Sequence, residues 1–325
     1  MIGELVNEQV ALPWSEQTEK LFEHDLTKAF ADDNYHISAK VIADSINSVN
    51  NARLITLQLA VPRMILAELN THCSMSKNTA SSRAIPAKKI RANIMEHMFY
   101  PVYWGANKSG MSADQQLTGW RLNLAKALWG TAGYFNVGVH WCLEKLGLHK
   151  QTCNRILEPW TNVYTVITSS EWDNFLKLRY SKFAQPEMIM LAKAIHDAIK
   201  ASTPRKLGPS DYHLPYITQQ EADTRSAVDC IKTSVARCCR VSYRSNDSDQ
   251  LSDFDKDVKL FDKLLTDHHM SPFEHIGFVP HQGKITKELH FDLQRKFRGW
   301  YQFRAFVDPE SNLKYLSKFY GITLK

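Results

Sequence analysis

Residues 71–83 read Thr-His-Cys-Ser-Met-Ser-Lys-Asn-Thr-Ala-Ser-Ser-Arg, and this stretch bears most directly on the fold and the chemistry of the chain. Its thirteen residues include six hydroxyls, one amide, one imidazole and one guanidinium, with little apolar bulk. Hydroxyls and backbone N–H groups donate to phosphate oxygens, and Arg83 can add a bidentate, charge-assisted pair. The composition therefore predicts a polar loop outside the hydrophobic core that can hold a phosphate and a planar heterocycle. A solvated turn is the alternative interpretation, because Ser/Thr/Asn clusters usually mark turns.

The segment before this loop has the pattern of packed structure. Residues 53–61, Arg-Leu-Ile-Thr-Leu-Gln-Leu-Ala-Val, predict a strand that ends at Pro62. Alternation places four apolar side chains on one face of it: Ile55, Leu57, Leu59 and Val61. Residues 64–70 then predict a short helix or helical turn. Because binding chemistry tends to lie on loops held by a rigid scaffold, this setting favours a functional role for the polar loop.

The loop resembles the signature of flavin-dependent thymidylate synthases, Arg-His-Arg-x-x-Ser-x-Asn-Glu-x-Ser-x-Arg. Five positions match: His72, Ser76, Asn78, Ser81 and Arg83. Three positions depart: Thr71 and Cys73 replace arginines, and Thr79 replaces a glutamate. The resemblance implies that His72 and Asn78 contact the flavin and that Ser81 and Arg83 bind the nucleotide. It also implies catalytic roles for His72 and Ser81.

A second group of segments resembles the same family: residues 154–159 (Asn-Arg-Ile-Leu-Glu-Pro), 174–179 (Asn-Phe-Leu-Lys-Leu-Arg) and 184–187 (Ala-Gln-Pro-Glu). The resemblance implies that Arg155 binds the nucleotide phosphate and that Asn174 contacts the flavin. It further implies that Arg179 hydrogen-bonds the pyrimidine ring and stabilises charge on it, which makes this residue catalytic as well as substrate-binding. Taken without the resemblance, both arginines have the pattern of ordinary helix-surface residues.

Two further matches lie near the other end of the chain: residues 236–243 (Ala-Arg-Cys-Cys-Arg-Val-Ser-Tyr) and 269–275 (His-Met-Ser-Pro-Phe-Glu-His). They are similar to the family's Ala-Arg-Val-Ser-Tyr and Gly-His-x-Ser/Thr-Pro-Phe-Glu-His segments. The resemblance implies flavin-binding roles for Ser242, Ser271 and Glu274. It places His269 beside the reacting ring, also as a flavin-binding residue.

Two helices are predicted from apolar spacing alone. One lies between the last two motifs and repeats at i, i+4, i+7 and i+11: Phe254, Val258, Phe261 and Leu265. Ser252 and Asp255 resemble a capping box at its start. The other has a packing face formed by five residues: Met188, Leu191, Ala192, Ile195 and Ile199.

The order of the motifs differs from that of the family. The Ser-Pro-Phe-Glu-His segment precedes the polar loop in the family, whereas here it follows about 200 residues later (residues 271–275 against 71–83). We interpret this as a circular permutation, which chain termini lying close together make physically tolerable. The expected fold is mixed α/β, of the flavin-dependent thymidylate synthase type with a helical subdomain. The resemblance also implies a homo-oligomer, a tetramer.

The implied chemistry is transfer of a one-carbon unit to C5 of dUMP, giving dTMP. In the family, FAD supplies the hydride, methylenetetrahydrofolate the carbon, and NADPH reloads the flavin. The protein then has to bind, orient and supply electrostatic support. Cationic support for an electron-rich pyrimidine and a phosphate dianion suits Arg83, Arg155 and Arg179.

Two departures from the family leave alternatives open. Glu68, expected at the nucleotide, stands where the family has a glutamine, and a carboxylate can accept from the amino group of cytosine. A deoxypyrimidine monophosphate hydroxymethylase acting on dUMP or dCMP is therefore the second hypothesis. Cys73 is either a reactive thiolate in a basic pocket or a small buried hydrophobe. A non-catalytic nucleotide-binding protein is the hypothesis of another class, favoured by the lost arginines.

Composition sets the remaining limits. The chain has 325 residues, 44% hydrophobic and 23% charged, with a net charge of +6 spread along it. Polyanionic small molecules account for that excess, so no nucleic acid is expected as a partner. No apolar run approaches a membrane span and the N-terminus lacks a secretory leader, which predicts a cytoplasmic protein with six reduced cysteines. Adjacent histidines at 268 and 269 suit a metal poorly, so no metal site is expected.

Three regions lie outside the motifs. Residues 1–35 are expected to form an N-terminal helical extension, and residues 36–325 the catalytic domain. Within that domain, residues 88–150 are expected to be a helical subdomain, with a helical hairpin over residues 121–147. Its four tryptophans are interpreted as core or subunit interface: Trp104, Trp120, Trp129 and Trp141. Arg304 is expected to be a solvated residue beside aromatic packing.

Overall fold

The larger of two β-sheets is built on a hairpin of two ten-residue strands. The structure, a computed structural model, describes residues 35–110, 113, 115–209, 211–243, 251–280 and 287–307. The strands of this sheet are β1 Ser38–Asn47, β2 Arg53–Pro62, β3 Ser76–Thr79, β4 Asn162–Ser169 and β5 Arg205–Leu207. They lie in the order β3-β4-β2-β1-β5. Every pair is antiparallel except β1 with β5, which is parallel.

The central strand β2 confirms the prediction made from its apolar alternation. Its inward residues are at most 2% exposed: Ile55, Leu57, Leu59 and Val61. Leu54 and Ala60, on the opposite face, are buried as well, so the strand is covered on both sides. It ends at Pro62. The short helix predicted next is present as a 3-10 turn followed by an α-helix. The polar segment is therefore preceded by packed secondary structure, as predicted.

A smaller sheet packs beside the first. It consists of β6 Tyr212–His213, β7 Gly277–Phe278 and β8 Tyr301–Gln302, all antiparallel in the order β6-β7-β8. Its core is rich in phenylalanine: Phe261, Phe273, Phe278, Phe303 and Phe306. Gly277 allows β7 to approach β2 closely, because a Cβ at this position would lie 2.5 Å from Leu54 Cδ2.

Helices flank the sheets, and three of the predicted site residues lie on α-helices: Glu68, Asn174 and Arg179. The α-helices are α1 Leu66–Asn70, α2 Ala87–His97, α3 Gly119–Lys145, α4 Lys150–Cys153, α5 Asp173–Arg179, α6 Pro186–Ala201, α7 Gln219–Thr224, α8 Ala227–Cys239, α9 Phe254–Thr266, α10 Lys287–Gln294 and α11 Arg304–Val307. The 3-10 segments are Arg63–Ile65, Ser82–Ala84, Asn154–Trp160, Arg240–Tyr243 and Ser271–His275.

Both helices predicted from apolar spacing are present, and one boundary is corrected. The face predicted for α6 is in the core, with Met188 and Leu191 completely buried. Helix α9 begins at Phe254, but the capping box expected from Ser252 and Asp255 is wrong. Asp253 is the N-cap and accepts from the Lys256 N–H. The Ser252 hydroxyl instead donates to the buried Asp257 carboxylate at 2.5 Å, so it is not available to cap the helix.

The helical hairpin expected over residues 121–147 is wrong. Helix α3 runs without a break through 27 residues, from Gly119 to Lys145. No proline interrupts it, and its internal glycines are tolerated because Gly130 and Gly133 lie against Tyr100 and Met98. The described residues between α2 and α3 (98–110, 113 and 115–118) are not helical, so the helical subdomain is less regular than expected. Trp120 and Trp141 are 71% and 50% exposed and do not belong to the core of this chain.

The expectation that residues 71–83 form a loop outside the core is only partly right. Residues 76–79 form the edge strand β3, which pairs with β4. Met75 and Ser76 are buried. Polar side chains are tolerated there because they have partners: Thr79 Oγ1 lies 2.9 Å from Thr165 Oγ1, and Ser76 Oγ accepts from Gln302 Nε2 at 2.9 Å.

The described ranges thus show a mixed α/β fold, which confirms the predicted class at that level. Of the expected N-terminal extension, residues 1–34 lie outside the described residues, so the domain boundaries remain predictions. No helix in the described part of the chain is both long enough and apolar enough to span a bilayer.

Candidate active site

Arg179, at the C-terminal end of α5, is the centre of one polar cluster. Its Nε donates to His72 Nε2 at 2.8 Å, and its Nη1 forms an ion pair with Glu68. Its Nη2 lies 3.3 Å from Thr71 Oγ1. Arg179 and Glu68 keep 20% and 28% of their side-chain surface exposed, so the cluster is accessible to a ligand. The structure therefore brings together three predicted site residues that are up to 111 positions apart in sequence.

His72 is neutral in this setting. Burial lowers its pKa to about 4, and the positive charges of Arg179 and Lys77 act in the same direction. Because Nε2 accepts a hydrogen bond from Arg179, the ring proton must be on Nδ1. Phe175 supports the ring edge-on, with 4.9 Å between ring centroids. His72 is thus a neutral acceptor that orients a guanidinium, rather than a second cation.

Hydrogen bonds of Asn78 connect the polar segment to the motifs near the other end of the chain. Ser271 Oγ donates to Asn78 Oδ1 at 2.8 Å, across 193 positions of sequence. Asn78 Nδ2 donates to the Cys238 carbonyl oxygen at 2.8 Å. Strand β3 therefore contacts both the Ser271–His275 turn and the end of α8. Three of the matched motifs meet at this one amide.

Glu274 is held by two cations. Lys296 Nζ donates to its Oε2 at 2.9 Å, and Arg304 Nη1 donates to its Oε1. Burial alone would raise the pKa of Glu274, but these hydrogen bonds outweigh burial and hold the pKa below its usual range. The expectation that Arg304 is merely solvated is wrong, because it is half-buried and paired. Gln302 Nε2 donates to the Glu274 carbonyl oxygen at 2.9 Å and so fixes the turn to β8.

Lys77 links the two clusters and was missed in the sequence. Its Nζ donates to the His72 carbonyl oxygen. Burial lowers its pKa, and the nearby charge of Lys296 lowers it further. Lys77 occupies a variable position of the signature, and Lys296 lies outside every motif. The fold assigns both lysines to the site, because Lys77 contacts His72 and Lys296 contacts Glu274.

The third group lies around the turn at residues 81–85. Ser81 Oγ accepts from the Arg83 N–H at 3.3 Å. Asn154 Nδ2 donates to the carbonyl oxygens of Ser82 and Ile85 at 2.8 and 3.0 Å, which ties the turn to the segment that carries Arg155. Arg83 is exposed, with no ion-pair partner among the described residues.

Two further residues give this group its charge. Arg155 Nη1 lies 2.8 Å from Glu158 Oε1 and keeps half of its side-chain surface exposed. Arg63, which the sequence analysis missed, lies 3.6 Å from the same carboxylate and donates to the Ala80 carbonyl oxygen at 3.1 Å. Its buried Nε has no partner among the described residues, and burial lowers its pKa. Arg155, one of the predicted phosphate-binding arginines, thus lies near a further cation, Arg63.

Other predicted residues are not drawn into these clusters. Asn174 is exposed on the first turn of α5, and His269 is exposed just before the Ser271–His275 turn. Ser242 belongs to a 3-10 segment, but its side chain lies outside the described residues. Cys73 is exposed, and its Sγ donates to the Thr71 carbonyl oxygen at 3.5 Å. The buried-hydrophobe interpretation of Cys73 is therefore wrong, while its reactivity stays a prediction.

The residues expected at the flavin offer donors of several kinds. Ser271 offers a hydroxyl, Asn174 an exposed amide and His269 an exposed imidazole, while Lys77 and Lys296 offer cations. These groups suit the heteroatoms and pyrophosphate of a flavin dinucleotide. Within the described residues, no group of three or more His, Cys, Asp or Glu side chains is arranged to hold a metal ion.

Comparison with known proteins adds little. No family model matches the sequence, and no curated protein matches it. One similar solved structure is the UMP/dUMP methylase PolB from Streptomyces cacaoi, bound with 5-Br dUMP. It is 14% identical, has a TM-score of 0.38, and the match covers 50% of this chain and 89% of that one. A likeness this weak assigns neither a family nor an activity.

Proposed function

We propose that the protein is a flavin-dependent enzyme that transfers a one-carbon unit from methylenetetrahydrofolate to C5 of dUMP and gives dTMP. On this proposal the chain is a circularly permuted relative of the flavin-dependent thymidylate synthases. The substrate is a deoxypyrimidine monophosphate, and FAD is the resident cofactor with NADPH as the reductant.

The observation that supports this most is the hydrogen bond from Ser271 to Asn78. Residues of two matched motifs meet at 2.8 Å although 193 positions separate them and their order is rotated. If the matches were accidental, nothing would require the folded chain to bring them together. Arg179, from a third motif, meets His72 of the same polar segment in the same way.

Each cluster then has a task that suits its charge. The exposed Arg83 and Arg155, backed by Arg63, bind the nucleotide phosphate. Arg179 hydrogen-bonds the pyrimidine and stabilises negative charge that develops on it, with His72 fixing its orientation. Ser81 lies between these two tasks, at the start of the phosphate-binding turn, and contributes a hydroxyl to the nucleotide.

Cofactor binding falls to the groups around Asn78. FAD, when bound, supplies the reducing equivalent, and methylenetetrahydrofolate supplies the carbon. Ser271, Asn78, Asn174 and His269 provide hydrogen bonds to the ring system. Glu274 sets the positions of Lys296 and Arg304, so that two cations stay near the cofactor without leaving a buried charge unpaired.

A second candidate is hydroxymethylation of dCMP or dUMP, and one observation favours it. Glu68 places a carboxylate against the guanidinium of Arg179, where the family has an amide. A carboxylate accepts from the amino group of cytosine, whereas the carbonyl of uracil offers no donor at that position. The two candidates differ in the base and in the last step, and they share the remaining machinery.

We also propose that the protein is a homo-oligomer that packs through α3. Only three of the 27 residues of this helix are buried. Its exposed side chains include six large apolar groups: Trp120, Leu124, Leu128, Tyr134, Phe135 and Trp141. An apolar surface of this kind on one helix is characteristic of a protein–protein contact, and a second copy of the chain is the occupant that the resemblance implies.

Two measurements on the purified full chain test the enzymatic proposal. The first is the visible absorption spectrum, before and after reconstitution with FAD. The second is mass spectrometry of products from dUMP or dCMP with methylenetetrahydrofolate and NADPH, with reactions lacking the folate as controls. A flavin spectrum with dTMP supports the proposal, and a hydroxymethyl product selects the second candidate. A colourless protein that takes up no FAD overturns both and leaves a nucleotide-binding protein.

A further inference from the structure

Five polar side chains form one continuous hydrogen-bonded chain through the interior: Ser45, His213, Thr56, Thr168 and His275. Ser45 Oγ lies 2.9 Å from His213 Nδ1, and His213 Nε2 lies 2.8 Å from Thr56 Oγ1. Thr56 Oγ1 lies 2.7 Å from Thr168 Oγ1, which lies 2.8 Å from His275 Nδ1. Each of these side chains is at most 5% exposed. The chain crosses from strand β1 to the Ser271–His275 turn, which carries predicted flavin-binding residues.

The two ends of this chain differ. Ser45 lines a cavity of about 210 Å³ together with Asp44, Arg205 and Gln219. The last two residues are exposed, so this end reaches the surface. At the other end, Nε2 of His275 is buried and has no hydrogen-bond partner among the described residues. His275 follows Glu274 directly in the sequence.

Hydrogen-bond directions in the chain are coupled, and one arrangement leaves no donor unpaired. If His275 carries its proton on Nδ1, it donates to Thr168, Thr168 donates to Thr56, and Thr56 donates to His213 Nε2. His213 then carries its proton on Nδ1 and donates to Ser45. The buried Nε2 of His275 is left with a free lone pair, which is less costly than an unpaired N–H.

The reverse arrangement differs by exactly one transferred proton at each end. When a proton arrives at His275 Nε2, the Nδ1 proton can pass to Thr168, the Thr168 proton to Thr56, and the Thr56 proton to His213 Nε2. His213 then releases its Nδ1 proton to Ser45, and Ser45 releases its own proton into the cavity. Every oxygen and nitrogen keeps its normal valence before and after, and no ring becomes charged in either resting arrangement.

The surroundings keep both rings neutral, as such a transfer requires. Burial lowers the pKa of His213 to about 3, against a smaller opposite effect of Asp44, and His275 and Arg205 lower it further. Burial also lowers the pKa of His275 to about 4, with Glu274 opposing and Lys296 reinforcing the shift. A neutral imidazole has one donor and one acceptor nitrogen, whereas an imidazolium could not accept at both ends.

We propose that Ser45, His213, Thr56, Thr168 and His275 form a proton relay between the surface cavity and Nε2 of His275. Its use rests on the proposed function: replacing hydrogen by carbon at C5 of a pyrimidine breaks a C–H bond and leaves one proton to be removed. This use requires C5 of the bound substrate to deliver its proton to Nε2 of His275, from which the relay carries it to the cavity. Its existence as a coupled chain does not depend on which substrate is bound.

The first test reads the histidine tautomers by ¹⁵N NMR of the full-length protein, with signals assigned through His213→Gln and His275→Gln. Near neutral pH we expect both rings to be neutral with the proton on Nδ1. Thr168→Val removes the acceptor of His275 Nδ1, and we expect the His275 signal to shift toward the other tautomer. A wild-type His275 protonated on Nε2 or on both nitrogens, or a tautomer indifferent to Thr168→Val, would overturn the proposal.

The second test measures release of tritium from C5-labelled dUMP. Thr56→Val and Thr168→Val are each expected to slow release by about tenfold or more, with nucleotide affinity unchanged and a larger solvent deuterium isotope effect. Thr233→Val is the matched control, because Thr233 is equally buried and its hydroxyl has no partner among the described residues. Rates in the two chain variants equal to that of the control would overturn the relay. A wild-type protein that releases no tritium would instead reject the proposed function, and the tautomer measurement alone would decide the relay.

Discussion

Arg179 is fixed in place by three partners, and their charges determine what it can do. His72 is neutral and accepts from Nε, so it orients the guanidinium without competing for its charge. Glu68 neutralises that charge in the free protein, and its own exposed fraction lets a ligand displace or join it. A planar group with fixed orientation and a replaceable counter-ion is well suited to bind a planar, electron-rich ring.

Substitution of Arg179 is therefore expected to separate turnover from cofactor binding. Arg179→Ala should lower kcat by about a hundredfold or more, as loss of a charge-stabilising donor does. Bound flavin should be unchanged, because the groups around Asn78 do not contact Arg179. Steady-state kinetics and the flavin spectrum check this. The control is Arg298→Ala, since Arg298 is 79% exposed and pairs only with Glu171 among the described contacts. Full activity in Arg179→Ala would remove this residue from the site.

At the scale of the element, α3 is the part of the fold that the sequence describes least well. Its residues are apolar enough for a buried helix, yet most of them are exposed. Apolar composition therefore predicted a hairpin packed on itself, whereas the structure has one long helix with an apolar surface. The difference arises because a sequence pattern does not distinguish burial within a chain from burial between chains.

The glycines of α3 give a prediction about stability. A Cβ at Gly138 would meet no atom within 4 Å, so Gly138→Ala should stabilise the monomer by roughly 0.5–1 kcal/mol through reduced backbone entropy. A Cβ at Gly130 would lie 2.4 Å from the Tyr100 hydroxyl oxygen, so Gly130→Ala should destabilise it. Urea unfolding of both variants measures the free energies. Equal effects at the two positions would contradict the described packing of α3.

The exposed face of α3 gives a second prediction at this scale. Leu128→Glu is expected to shift the oligomer to smaller species, because it places a charge in an apolar contact. Light scattering after gel filtration measures the mass. Lys126→Glu, two residues away on the same exposed helix, is the control for the added negative charge. Trp120 and Phe135 are exposed on the same helix in the single chain. If the Leu128→Glu variant keeps the oligomeric mass of the wild type, another surface forms the oligomer.

Apolar periodicity along the sequence predicted individual strands and helices. It did not predict contacts between segments that are far apart in the sequence. Strand β2 and helix α6 followed from apolar periodicity because each buries a continuous face. Residues 71–83 read as a loop because polar residues are rare in strands, and the buried partners that satisfy β3 come from far along the chain. The resemblance named Glu274 but not Lys296, since no motif contains that lysine. Arg63 was missed for the same reason.

At the scale of the whole molecule, the two sheets are joined through buried polar groups as well as apolar packing. The chain from Ser45 to His275 connects β1, β2 and β4 of the large sheet with β6 of the small one. Elsewhere Arg237, almost fully buried, binds Glu221 and Asp257 and ties α8 to α7 and α9. Removing one partner from such a group leaves a buried polar atom unpaired, so these contacts specify how the layers meet.

Buried neutral histidines make the stability of the whole molecule depend on pH. The pKa values of His213, His275 and His72 are lowered to about 3, 4 and 4, below the ordinary value of 6.5. The unfolded chain therefore binds more protons than the folded one between these values and 6.5. The contribution of these histidines to the free energy of unfolding is fully present above pH 6.5. It is lost as the pH falls below that value, with a slope of up to about 1.4 kcal/mol per pH unit for each histidine. Glu221, whose pKa its hydrogen bond to Arg237 lowers to about 2, contributes only at lower pH.

Urea unfolding at a series of pH values between neutrality and the ordinary histidine pKa, and then below it, tests this coupling. His213→Gln should lower stability near neutral pH, because it interrupts the buried chain, yet its pH slope should be smaller than that of the wild type by up to about 1.4 kcal/mol per pH unit. His268→Asn is the control, because His268 is exposed and Asn tolerates its φ of 54°. The control should keep the wild-type slope. An unchanged slope in His213→Gln would mean that His213 takes up no proton on unfolding, and the neutral buried ring that the relay requires would be lost with it.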